Sequence, residues 1–149
     1  MNIPKIIHQI WIGGSAVPET YAKNTARLVS HNPGWTHRLW GDADLTTACA
    51  AAGVGDAYEK AQSLHNKVDI GRYAVLATHG GVTVDMDVVS LQPLDTLTLQ
   101  PGILSVSECS FNPEMLSWEN RAFGFPTLLN NAFFAAPPGL PIVQRLCRH

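Results

Sequence analysis

The stretch Asn66–Val88, NKVDIGRYAVLATHGGVTVDMDV, decides the fold. Val68, Ala74, Val75, Leu76 and Ala77 fall at mixed three- and four-residue spacings, the pattern of a helix packed on a sheet. Asp69 and Arg72 are three residues apart, which puts them on one helical face. Gly80-Gly81 ends the helix, because the residue just past a helix end often needs a positive φ. Val82-Thr83-Val84 then supplies β-branched residues for a strand. Asp85 and Asp87 follow at its end. A strand carried through them projects the two carboxylates together and turns Met86 to the opposite side.

Three readings of that acidic pair are open. Asp85 and Asp87 are solvated loop residues, or they are structural partners of Arg72, or they hold a divalent cation. Crowded carboxylates in an apolar setting are costly without a cation between them. Oxygen ligands suit Mg²⁺ or Mn²⁺, and Mg²⁺ is commonly held by one or two carboxylates together with substrate phosphates.

Composition narrows the class. A chain of 149 residues is of one-domain size, with domain bounds 1–149, and can bury a core. Its net charge of −2 argues against non-specific nucleic-acid binding, which needs a basic surface. No apolar run reaches the roughly 18 residues of a membrane span. The N-terminal segment has no basic region followed by an apolar one, so no signal peptide is expected. Cys49, Cys109 and Cys147 fit neither zinc spacing nor a disulfide framework. A cytoplasmic location with reduced thiols is the default expectation.

Working outward, Lys5 to Ile12 is an apolar run broken only by His8 and Gln9, a buried strand ended by Gly13-Gly14. In α/β proteins such a strand end often opens onto a ligand. Trp11 sits there, either as a core residue or as a face on which a planar base stacks. Pro18 to Ser30 reads as a helix begun near proline, and Trp35 to Trp40 as a second strand. Asp44 is placed to cap a helix over Leu45–Ala52, and Asp56–Leu64 is a further helix. His65-Asn66 separates it from the organising helix. Val88–Leu94 continues as an edge strand limited by Pro93, and Ile103–Val106 is another strand. Ser107–Glu119 follows as an irregular loop suited to an acceptor rim. Asn130 and Asn131 precede a strand over Ala132–Ala136, and Leu140–Cys147 is a short helix. His8 and His79 read as packing or capping residues.

The run DIGRYAVLATHGGVTVDMD (Asp69–Asp87) resembles the central motif of the glycosyltransferases that bind nucleotide-sugars through a DXD motif. That family includes a yeast initiating mannosyltransferase, bacterial capsule sugar transferases and the glucosyltransferase domains of clostridial toxins. IPKIIHQIWIGG (Ile3–Gly14), NPGW (Asn32–Trp35) and NAFFAAPPGLP (Asn131–Pro141) resemble the same family in the same order. The resemblance implies an α/β, GT-A-like fold, a single sheet flanked by helices. It implies a glycosyltransferase of hexosyltransferase type, working from a nucleotide-diphosphate sugar with retention of configuration. The donor it favours is a UDP-sugar, with GDP open, and the acceptor is unknown.

The resemblance also distributes roles. Trp11 stacks on uracil, with Ile10, Ile12 and Gly13 beside the nucleotide. Asp69 and Arg72 grip sugar hydroxyls, and Asn131 lies near the sugar. Asp87 binds Mn²⁺ or Mg²⁺ directly, while Asp85 holds ribose or sugar or reaches the metal through water. Members of the family run on past a segment of this length and add a further metal ligand, for which His149 is the candidate here. Two competing functions share the donor site: a nucleotide-sugar hydrolase and a non-catalytic nucleotide-sugar binding module. For Asp69 with Arg72 a plain surface ion pair, and for Asn131 a self-bonded loop asparagine, also stay open.

Overall fold

A computed structural model describes residues 2–96, 102–107 and 129–146. Cys109, Cys147, His149 and nearly all of the expected acceptor loop lie outside them. Five strands form one mixed sheet: β1 (Ile6–Ile10), β2 (Thr36–Trp40), β3 (Gly81–Val84), β4 (Leu104–Ser107) and β5 (Leu129–Ala136). Their order is β2-β1-β3-β5-β4. β1 runs parallel to both β2 and β3, whereas β5 is antiparallel to β3 and to β4. The helices are α1 (Glu19–His31), α2 (Asp42–Ala51), α3 (Gly55–Lys60), α4 (Leu64–His79) and α5 (Pro141–Leu146). No helix among the described residues is long and apolar enough to cross a membrane.

The sheet is packed on both faces. Leu28 of α1 covers Ile7, Val82, Val84 and Ala135 on one side. On the other, Leu45, Cys49, Ala74 and Val75 gather around Trp40, and Leu76 and Val143 close over Phe134 and Ala136. β3 lies between parallel and antiparallel neighbours and is buried along its whole length, which is why its sequence carries no charged residue and its one hydroxyl, Thr83, donates to the Phe134 carbonyl.

Two glycine positions set how α4 meets the sheet. Gly80 and Gly81 adopt φ of +63° and +101°. A Cβ on Gly81 would lie 2.6 Å from the Ile6 carbonyl oxygen, so conformation and space both exclude a larger residue. Within α4, a Cβ on Gly71 would lie 2.7 Å from Leu45 Cδ1. The helix propensity given up there lets α2 lie close against α4 in the same turn as Asp69 and Arg72.

Several expected boundaries move, each for a local reason. β3 stops at Val84, and Asp85–Val88 forms a turn closed by the Val88 N–H on the Asp85 carbonyl at 3.1 Å. Strand alternation therefore does not govern Asp85, Met86 and Asp87. α2 begins at Asp42 behind an extended Gly41, so Asp44 lies inside the helix and is not its cap. α3 ends at Lys60, and α4 begins at Leu64, capped by Ser63, which accepts the Asn66 N–H at 3.1 Å. His65 and Asn66 thus belong to α4 and do not separate two helices. Val88–Leu94 is no strand: His31 Nδ1 meets Ser90 Oγ at 2.9 Å and Asn32 Oδ1 accepts the Leu94 N–H at 2.7 Å. Those bonds tie the segment to the end of α1, and a single 3₁₀ turn follows at Leu94–Thr96. Asn130 and Asn131 lie within β5.

His8 is 1% exposed and fixes the end of α4 from below. Its Nε2–H donates to the Gly80 carbonyl at 2.9 Å, and its Nδ1 accepts from Trp40 Nε1–H at 3.1 Å. Both bonds together require neutral imidazole, since a proton on Nδ1 would face the indole N–H. Burial lowers its pKa from 6.5 to about 4, and burial lowers His37 and His79 in the same direction.

Two predictions follow from this packing. The unfolded chain takes up a proton at His8 that the native state refuses. Stability is therefore full above pH 6.5 and is lost as the pH falls towards about 4, a span worth about 3 kcal/mol. Urea titrations at pH 7 and pH 4.5 should show this loss, and a His8→Gln variant should show a shallower one, His37 and His79 supplying the remainder. Gly81→Ala should cost about 1–3 kcal/mol through backbone strain alone, whereas Gly34→Ala, which meets no atom within 4 Å, should change the urea midpoint little.

Candidate functional site

β1 leads by way of α1 to β2 on one side, and the chain then crosses to β3 on the other. The strand order reverses between β1 and β3, and open α/β sheets bind ligands outside the carboxyl ends of strands at such a point. A cavity of about 400 Å³ lies there. It draws Ile10, Trp11 and Ile12 from the end of β1, and Asp85, Met86 and Asp87 from the turn after β3. Tyr21 of α1 and Leu64, His65, Val68 and Arg72 of α4 complete most of its wall.

Trp11 is anchored on two sides. Its backbone N–H donates to the Trp40 carbonyl at 2.9 Å, and its Nε1–H donates to the Ser15 carbonyl at 2.8 Å. Tyr21 meets the indole edge-on with ring centroids 5.8 Å apart. The indole N–H is spent on the protein, so a ligand would meet the ring face. The adjoining Gly13 and Gly14, at φ of +95° and +74°, turn the backbone away from β1. Both carboxylate oxygens of Asp42 accept the Gly13 N–H, at 3.0 and 3.1 Å.

The charged centre is Arg72. Its side chain is 4% exposed, and it donates to Asp85 Oδ1 at 2.5 Å and to the backbone carbonyl of Asn131. Asp69 Oδ1 lies 3.9 Å from the same guanidinium and accepts Asn131 Nδ2–H at 2.8 Å. α4, the turn after β3 and β5 are thus joined through one buried cation. Asp69 and Asn131 do not line the cavity and connect to it through Arg72. The reading of Asp85 as a structural partner of Arg72 is realised, and Asp85 faces the cavity as well.

Opposing influences act on Asp85. Burial raises its pKa, Arg72 pulls it down, and the Asp87 and Asp69 charges push it up again; the net direction is upward. A carboxylate so placed gains from an added cation. Asp87 is exposed at the cavity mouth and makes no hydrogen bond or ion pair among the described residues. Asn24 Nδ2–H donates to the Met86 carbonyl at 3.2 Å and ties the turn that carries both acids to α1.

Among the described residues no three His, Cys, Asp or Glu side chains converge as a self-sufficient metal centre requires. Two oxygen donors on one turn fit a hard divalent ion whose remaining ligands come from a bound phosphate or water. The donor set therefore fits Mg²⁺ or Mn²⁺ held jointly with a substrate. Asp42, Asn24 and Tyr21 were not legible as site residues, because each meets its partner on another element, and His65 reads in the sequence as a break between helices.

Comparison with known proteins agrees with this geometry. Residues 18–103 match the family described as glycosyltransferase sugar-binding region containing DXD motif. An uncharacterized glycosyltransferase of Acanthamoeba polyphaga mimivirus is 33% identical over 91 residues, covering 58% of this chain and 36% of that protein. A mannosyl phosphorylinositol ceramide synthase of Saccharomyces cerevisiae is 29% identical over 104 residues, 68% of this chain and 27% of its own. The present chain spans about a third or less of those relatives. The solved PaToxG glycosyltransferase superposes with a TM-score of 0.71 at 20% identity, over 99% of this chain and 60% of that one, which establishes the shared fold. The family match covers more than half of the sequence and spans both the Asp69–Arg72 helix face and the Asp85–Asp87 turn: the chain belongs to the glycosyltransferases whose sugar-binding region contains a DXD motif.

Proposed function

We propose that this chain is the donor-binding unit, one domain over residues 1–149, of a metal-dependent glycosyltransferase that takes its sugar from a nucleotide diphosphate, UDP being favoured, with retention of configuration. The observation that carries the reading is one cavity lined by both Trp11 and the Asp85/Asp87 turn. Its volume of about 400 Å³ is within the usual range for a small-molecule site. An aromatic face and a pair of hard oxygen donors in one cavity suit a ligand with a planar base and a diphosphate.

Each residue then has a task. Trp11 offers its ring face to the base, steadied by Tyr21, while Ile10, Ile12 and Gly13 bring backbone close to the nucleotide. Asp87 supplies the direct oxygen ligand for Mn²⁺ or Mg²⁺. Asp85 is shared between Arg72 and the ribose, the sugar or a metal-bound water. Arg72 grips sugar hydroxyls from the cavity wall, and Asp69, beside it and outside that wall, acts on the sugar through it, with Asn131 holding both in register. When bound, the ion would offset charge on the departing diphosphate as the glycosidic bond breaks. No side chain is assigned as a covalent nucleophile. The relatives include a mannosyl phosphorylinositol ceramide synthase, so a hydroxyl of a lipid-linked head group belongs in any acceptor panel.

The reading is tested by titrating UDP with and without Mn²⁺. Asp87→Ala should weaken Mn²⁺-dependent UDP binding by about tenfold or more, since even outer-shell changes at metal sites cost that much. Its affinity in EDTA should be unchanged. Equal affinity of both proteins in Mn²⁺ would reject the site. Turnover separates the competing functions: faster sugar loss with an acceptor favours transfer, acceptor-independent release favours a hydrolase, and binding without turnover favours a module.

Asp42 supplies a second check. Asp42→Ala frees the Gly13 N–H and should lower UDP affinity about fivefold, equivalent to ~1 kcal/mol. Asp42→Asn retains an acceptor oxygen and should recover most of it. A loss identical in both variants would remove Asp42 from the site.

A further inference from the structure

His65 stands on the cavity wall without a role so far. Among the described residues lining the cavity, only Arg72 and His65 can carry positive charge. The guanidinium of Arg72 is already engaged by Asp85 and the Asn131 carbonyl. A diphosphate entering this cavity also meets the charges of Asp85 and Asp87. A cation held by that pair answers the charge on one side only. The remaining group able to carry positive charge is the imidazole in the first turn of α4, where the helix dipole also favours an anion.

The placement of His65 has a visible cause. Asn131 Nδ2–H engages Asp69 Oδ1 at 2.8 Å, and Asp69 Oδ2 lies 3.6 Å from His65 Nε2. β5 therefore sets the Asp69 carboxylate, and that carboxylate sits under the imidazole. The His65 side chain is 84% exposed, so it can turn towards a ligand without disturbing the core. Its Nδ1 makes no hydrogen bond or ion pair among the described residues.

Resting on the nucleotide site proposed above, we infer that His65 is a binding residue for the donor's diphosphate, oriented by Asp69 and completing the positive side of the cavity. Asn131 acts on it at one remove, as a positioning residue.

The experiment compares UDP with uridine, which shares the base and ribose but carries no phosphate. Binding of each is measured in Mn²⁺ for the wild-type chain, His65→Gln and His65→Arg. His65→Gln should weaken UDP about two- to fivefold, the scale of an exposed charge pair, and leave uridine unchanged. His65→Arg places a permanent cation at the same point and should restore UDP affinity or raise it. Unchanged UDP binding in His65→Gln, equal loss for uridine, or no recovery in His65→Arg would each overturn the assignment. A wild-type chain that binds uridine as tightly as UDP would overturn the diphosphate assignment while leaving the base-binding part of the cavity standing. A chain that binds neither compound would fail at the nucleotide site itself.

Discussion

A guanidinium withdrawn from water dictates much of this structure. Arg72 needs partners for its charge, and the chain supplies them from three distant places: Asp69 on its own helix, Asp85 after β3 and the Asn131 carbonyl on β5. Removing one partner from such a buried group typically costs about 3–5 kcal/mol, whereas the intact cluster adds little net stability. The arrangement is better understood as a device for position than as a source of stability. It fixes where the turn after β3 stands relative to α4, and so where Asp85 and Asp87 face. Because Arg72 tempers the charge of only one of the two acids, the pair stays unbalanced, and burial drives Asp85 upward.

The sheet gives that device its location. Parallel strands β1 and β3 end side by side where the chain reverses its direction of travel across the sheet. Their termini open a gap that no strand among the described residues fills, and α1 and α4 wall it. The two glycine pairs do related work at opposite ends of these strands. Gly80-Gly81 brings the chain into β3 beneath α4, and Gly13-Gly14 takes it out of β1 beside the cavity. His8, tied to the Gly80 carbonyl and to Trp40, links the first of these turns to β2.

Much of this was legible in the sequence where the determining contacts are local. The period of Val68–Ala77, the Gly-Gly break and the β-branched run after it specify α4 and β3 without help from elsewhere. The α/β class and single sheet follow from them and from the ordered motifs, as does the gathering of Trp11, Arg72, Asp85 and Asp87 at one cavity. The failures lie where partners are far apart in the chain. Val88–Leu94 has apolar residues enough for a strand, yet His31 and Asn32 capture its polar groups for α1. Asp44 has the chemistry of a cap, yet Gly41 takes that position and Asp42 turns instead to Gly13. The expected alternation across Asp85, Met86 and Asp87 fails because a turn hydrogen bond closes one residue beyond the ladder. Asn131 is not a loop residue, because β5 reaches back far enough to include it.

The pairing of β3 with β5 has a bearing on how the chain is made. β3 is complete at Val84, but the strand that covers its free edge begins only at Leu129 and supplies Asn131 as it docks. A polypeptide emerging from the ribosome therefore carries an apolar strand with an open hydrogen-bonding edge, and beside it an arginine without its full complement of acceptors, while dozens of residues are still to be added. A chain cut short before β5 would keep that edge open and be prone to pair with its neighbours.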